Sequence, residues 1–276
     1  MSRPEDLPDF RNPPLVETVL SLQFEPIEGL TAAHVGLLWQ RFRKELPLIE
    51  EYAPLAPVVE TFGPPSPPQA QVTIEERPPA PRLWFLNEAK SELIQVQSDR
   101  FIHNWRRTAK DQPYPRFEPI REKFRQEVSV FEQFLKEEGF QPLEVNQCEV
   151  TYVNHIEPGA VWEGHGQLEK VVRIWAGLPE RAFLPEPENA AATLRFIMRD
   201  ETRAPLGRLH VLLQPAWRKT DNAPILTLNL TARGAPFSEG IDGAFQFFDL
   251  GREWIVKGFA DLTTPEMHAA WGRSDA

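Results

Sequence analysis

The sequence predicts an α+β fold in which two pseudo-repeats, each reading strand, helix, several strands and a long helix, build antiparallel sheet with helices on one face. Three observations carry this expectation. Short segments at 16–24, 92–106, 147–156, 192–199, 208–214 and 225–231 alternate apolar and polar side chains, the period of a half-buried strand. Two long segments, 118–138 and 243–261, instead place apolar residues three or four apart, the spacing of one helical face. Finally, VETVLSLQFEP at 16–26 can be laid on CEVTYVNHIEP at 148–158, an offset of 132 that matches Glu17 with Glu149, Phe24 with Ile156 and repeats Glu-Pro outright.

In order, residues 1–14 form a polar, proline-punctuated arm, residues 15–141 the first repeat and residues 142–276 the second, packed as one globular unit. The first strand, 16–24, puts Thr18, Leu20, Leu22 and Phe24 on one side and Glu17, Val19, Ser21 and Gln23 on the other. Thr31 is a suitable N-cap for a helix carrying Val35, Leu38, Trp39, Phe42 and Leu46 on one stripe, and Pro47 ends it. Short strands are expected at 58–62, 71–75 and 82–86, separated by the proline-rich loops 63–68 and 78–81. Residues 92–97 and 100–106 then form a hairpin on a Ser98-Asp99 turn, so that Gln97 faces Arg100, Val96 faces Phe101, Ile94 faces His103 and Leu93 faces Asn104. The following long helix carries Phe117, Ile120, Phe124, Val128, Phe131 and Leu135, and Gly139 supplies its C′ residue. In the second repeat a strand at 147–156 leads to a helix expected at 167–175, with Leu168, Val171, Val172 and Trp175 as its stripe. A loop rich in Pro and Glu precedes the three remaining strands, and the closing helix carries Phe247, Leu250, Trp254, Ile255 and Phe259. This order of elements resembles the topology of the TATA-binding-protein-like and helix-grip folds, an analogy of fold that carries no function.

Composition narrows the function classes. With 40 acidic against 30 basic side chains the net charge is −10, which repels a phosphate backbone at long range, so nonspecific nucleic-acid binding is not expected. The single cysteine, Cys148, excludes an internal disulfide framework and fits a reducing cytoplasm. The start MSRPEDLPDF has neither a basic n-region nor an apolar h-region, and no apolar run approaches the length of a membrane span, so a cytoplasmic protein is expected. There is no G-x-S-x-G, P-loop, H-E-x-x-H, paired Cys-x-x-Cys, or G-x-G-x-x-G after a strand.

Several blocks carry a resemblance. Residues 12–17 (NPPLVE), 94–106 (IQVQSDRFIHNWR), 147–156 (QCEVTYVNHI) and 250–264 (LGREWIVKGFADLTT), with Met267-His268 and Trp271-Gly272-Arg273 beyond them, resemble a sporadically distributed family of uncharacterised prokaryotic proteins. The resemblance spans nearly the whole chain and is most specific in the hairpin block. It implies no activity, ligand or catalytic residue; the scattered distribution points to genes on mobile or defence-type loci.

The candidate site is the polar side of the strands. If all strands join one sheet with helices on its apolar side, the opposite face is lined by Gln95, Gln97, Arg100, Asn104, Gln147, His155, Arg195, Arg199, Asn229 and Arg233, with Glu149 beside His155. Arginine forks suit carboxylates or phosphates and amides suit polar edges, so this surface predicts a protein partner or a polar or anionic ligand, set against the plainer reading of an ordinary solvated sheet side. An enzyme is the alternative: a hydrolase using Glu149 and His155, or Glu17 and Glu149 as symmetric carboxylates. A nucleotide or nucleic-acid reader would use the arginines. His103, on the apolar side, reads as a satisfied core histidine rather than a ligand, and His165 as part of a glycine-flanked loop. Glu149 and His155 alone fall short of a metal signature, so neither a metal nor a cofactor is expected. Asp249 and Arg252 read as an ion pair on the surface of the last helix, and the eight tryptophans read as mostly core.

Overall fold

The computed structural model describes residues 7–63, 80–177, 183–185 and 187–274. Nine strands form one antiparallel sheet: β2 (Leu15–Phe24), β3 (Leu48–Tyr52), β4 (Arg82–Leu86), β5 (Glu92–Gln97), β6 (Arg100–Arg106), β7 (Val145–Ile156), β8 (Ala192–Arg199), β9 (Pro205–Trp217) and β10 (Pro224–Gly234). Their spatial order is β3-β4-β5-β6-β2-β7-β10-β9-β8. A separate ribbon pairs β1 (Asp9–Phe10) with β11 (Arg273–Ser274). Part of the expected arm is thereby docked: Leu7 and Phe10 are buried, and Phe10 packs edge-on against Phe259.

Helices α1 (Ala32–Phe42), α2 (Phe117–Glu137) and α3 (Gly240–Leu262), with the short α4 (Pro265–Ala270), complete the fold. They cover one face of the sheet because the apolar parity of every central strand points that way. Leu20, Leu22, Phe24, Ile94, Val96, Phe101, Val150, Leu213, Leu228 and Leu230 are all buried with the stripe of α2. Phe101 stacks on Phe131 with ring centroids 4.8 Å apart. The expected stripe of α2 is the one that packs, and Gly139, at φ +78°, turns the chain out of the helix. The hairpin register is the expected one, with Gln97 opposite Arg100 and Ile94 opposite His103. His103 lies in the core with its Nδ1 2.8 Å from the buried Glu127 carboxylate.

Three expectations are corrected. The helix at 167–175 is a single 3-10 turn, Leu168–Lys170. Leu168, Val171 and Val172 are buried and Trp175 is half-buried, but Val172 bridges to Thr263, and backbone bonds join Arg173 to Leu262 and Thr264 to Val171, so the chain there fastens the end of α3 instead of coiling. The strand at 58–62 does not exist as a ladder, and β3 takes the sheet edge instead, unannounced because its side chains alternate with no buried set. The strand expected at 71–75 lies outside the described residues. Arg252 and Asp249 do not pair with each other: Arg121 of α2 holds Asp249 at 2.7 and 2.9 Å, and Arg252 reaches Glu118 at 3.0 Å, two crossed ion pairs between the long helices. Of the tryptophans, Trp105, Trp162 and Trp271 are buried, whereas Trp217 is exposed.

Two glycines allow α3 to approach the sheet. A Cβ at Gly234 would lie 2.5 Å from Leu206 O and from the Phe247 ring, and one at Gly207 would lie 2.7 Å from Arg233 O.

Candidate functional site

On the side of the sheet away from the helices, the polar parity of the strands forms cross-strand rows. One row runs Gln97, Arg100, Gln23, Gln147 over β5, β6, β2 and β7, each residue directly opposite the next. All four are buried, although no helix covers them. What covers them is the chain itself: residues 53–63, which have no regular secondary structure, cross the sheet roughly at right angles to its strands.

The crossing is held by main-chain bonds to side chains of the face. Gln97 engages both main-chain polar groups of one residue, accepting from Leu55 N at 2.9 Å and donating to Leu55 O at 2.9 Å. Arg100 donates to Ala56 O at 3.1 Å, Gln23 Oε1 accepts from Val58 N at 2.8 Å, and Gln147 Oε1 accepts from Glu60 N at 3.1 Å. Spacing explains the fit. An extended chain advances roughly 3.2 Å per residue and strands lie about 4.8 Å apart, so the five steps from Leu55 to Glu60 cover about the same distance as the three strand intervals from β5 to β7.

Past β7 the segment ends in a charge cluster. The Glu60 carboxylate, 5% exposed, meets Arg208, His210 at 2.5 Å and Arg233 at 3.3 Å, while Arg208 also donates to Thr61 O at 3.0 Å. Burial alone would raise the Glu60 carboxyl, but the His210 hydrogen bond and the positive charges of His210, Arg208 and Arg233 outweigh it and hold the group below its ordinary value. Arg233 is shared with Glu149, at 2.6 Å. Arg100 is pushed down by burial despite the nearby charges of Asp99 and Glu149. Its Nε is buried without a partner, beside a void of about 10 Å³ lined by Ser21, Gln23, Val58, Gln147, Glu149 and Arg233.

The predicted residues therefore separate into groups. Gln97, Arg100, Gln147, Glu149 and Arg233 come together under the crossing segment, a covered surface rather than the solvent-facing one expected. Gln95 and Asn104 form a chain of their own, Gln95 donating to Asn104 at 2.7 Å and Asn104 to Glu17 at 2.7 Å, with Arg106 on the same carboxylate. Arg195 and Arg199 are exposed on the edge strand β8, where Arg199 donates to Arg203 O at 2.7 Å and closes a turn. Asn229 and His155 are half-buried farther along the face, and burial pushes His155 down. Glu149 and His155 do not meet: both belong to β7, six residues apart, hence about 20 Å along one strand. Glu17 and Glu149 likewise have separate arginine partners.

Sequence reasoning missed Gln23, Glu60, Arg208 and His210. Three were legible by parity, because Gln23 alternates with Leu22 and Phe24, and Arg208 and His210 alternate with Leu209 and Val211. Glu60 was hidden, since nothing local marks a residue whose partners lie about 90 to 170 positions away.

Among the described residues no group of three or more His, Cys, Asp or Glu side chains is placed to hold a metal ion, and no helix is long and apolar enough to cross a membrane. Burial pushes the Cys148 thiol up, away from the reactive thiolate. No protein-family model matches the chain, and no curated protein matches it significantly.

Proposed function

We propose that this chain is a noncatalytic binding module whose polar sheet face holds an extended polypeptide by its main chain. The observation that carries the reading is the row Gln97, Arg100, Gln23, Gln147, which gives a crossing strand of peptide both donors and acceptors at the interval of the sheet. Gln23 Oε1 and Gln147 Oε1 accept from peptide N–H groups, which a sugar-phosphate backbone lacks, so the row as oriented here suits a peptide main chain better than a phosphodiester backbone. Six main-chain bonds at about 0.5–1.5 kcal/mol net each give a hold of a few kcal/mol, the range of a reversible contact.

Calorimetric titration of the full chain with a peptide of the sequence of residues 53–63, APLAPVVETFG, tests this reading. Methylating the peptide nitrogens equivalent to Val58 and Glu60 should weaken binding at least tenfold. Replacing the peptide's Leu and Phe side chains by Ala should change it less than threefold. The opposite pattern would mean that side chains, not main chain, are read.

We also read the two halves as copies of one unit. The strand order supports this, since β2 and β7 pair at the centre and each has on its other side the strand that precedes a long helix. So does the register: Val19 lies opposite Thr151, 132 positions away, the offset at which the two sequences align.

A further inference from the structure

We infer that residues 53–63 are a built-in occupant of the polar face, and that the external partner whose place they hold is an extended polypeptide with a carboxylate where Glu60 sits. This rests on the reading of the face as a polypeptide-binding surface and adds the partner's chemistry and its regulation.

The segment is fastened in a way another chain could reproduce. Apart from Glu60 and Phe62, whose ring lies 5.1 Å under the Arg208 guanidinium, the face holds it through its main chain, so sequence identity matters at few positions. Its apolar side chains are none of them fully buried: Leu55, Val58, Val59 and Phe62 are 36%, 38%, 62% and 39% exposed. A segment with few buried apolar contacts sits at the low-stability end of a fold and opens locally before the core does.

The fit of this occupant is also incomplete. Arg100 is more than nine-tenths buried, its Nε has no partner, and the void beside it adjoins Val58. Three guanidinium groups, Arg100, Arg208 and Arg233, lie under the segment with three carboxylates, Asp99, Glu149 and the segment's own Glu60, so lifting Glu60 away leaves one positive charge unmatched, the charge a partner's carboxylate would take up. An incoming peptide must compete with a tethered one, which raises its apparent dissociation constant by the effective concentration of the resident segment.

The test is fluorescence anisotropy with labelled APLAPVVETFG against the full chain and its Val58→Pro/Glu60→Lys variant, which removes the N–H given to Gln23 and reverses the charge in the cluster. The variant should bind the peptide at least tenfold tighter than the wild type. A peptide with Gln in place of Glu should bind the variant at least tenfold more weakly. Equal binding by wild type and variant would overturn the built-in occupant and leave the polypeptide-binding reading intact. Equal binding of the Glu and Gln peptides would overturn the carboxylate requirement. No binding by a variant that retains the wild-type circular dichroism would sink both this inference and the reading beneath it. Should the double variant fail to fold, the wild type decides: with millimolar peptide, the chain's own Val58 and Glu60 amides must lose hydrogen-exchange protection, and unchanged protection overturns the inference.

Discussion

Glu60 is the residue on which the site turns, because it is the one side chain of the crossing segment that the face recognises by charge. Its carboxyl is held below the ordinary value, so its contribution is fully present above the ordinary carboxylate range and is lost as pH falls through the depressed value. Hydrogen exchange of the Val58 amide, corrected for intrinsic rates, should therefore accelerate on acidification below that range. In Glu60→Gln the acceleration should be absent and protection at neutral pH reduced. His103 makes a different point at the same scale. It was legible as a core histidine from its parity in the hairpin, but its partner Glu127, on a helix 24 residues away, was not. Glu127→Ala leaves the His103 Nδ1 buried without an acceptor, and urea denaturation should show a loss of about 1–3 kcal/mol.

The elements divide by whether their partners are local. The hairpin β5–β6 was legible to the register because alternation and a two-residue turn leave one solution, and α2 and α3 were legible from their stripes. Residues 167–175 have a helical stripe too, yet their backbone bonds go to the end of α3, a tertiary choice that outweighs local preference. The segment 58–62 has the composition of a strand, with two valines, a threonine and a phenylalanine, but its N–H groups find side-chain amides instead of a ladder. The close seat of α3 depends on bare backbone. Gly234→Ala would drive a methyl group into Leu206 O and the Phe247 ring, and thermal melting should report a loss of about 2 kcal/mol or more. The crossed pairs Arg121–Asp249 and Arg252–Glu118 tie α2 to α3, so a double-mutant cycle on Arg121 and Asp249 should give a favourable coupling of about 0.5–1 kcal/mol, smaller at high salt.

At the scale of the whole molecule, the fold separates two surfaces of one sheet. The helix side is filled by aromatic and aliphatic side chains. The other side buries polar groups under a crossing segment whose apolar side chains are partly exposed. The polar face was legible as a set of residue types, because parity places them; its covering was not, since it depends on a loop crossing six strands, from β5 to β9. Native-state hydrogen exchange of the wild-type chain over a series of low denaturant concentrations tests the central claim most directly. The amides of Leu55, Val58 and Glu60 should be protected, and their exchange should be insensitive to denaturant while β2 and β7 exchange only through global unfolding. If those three amides exchange at the unprotected rate, or only together with β2 and β7, the segment is not a separable occupant of the face and the account is contradicted.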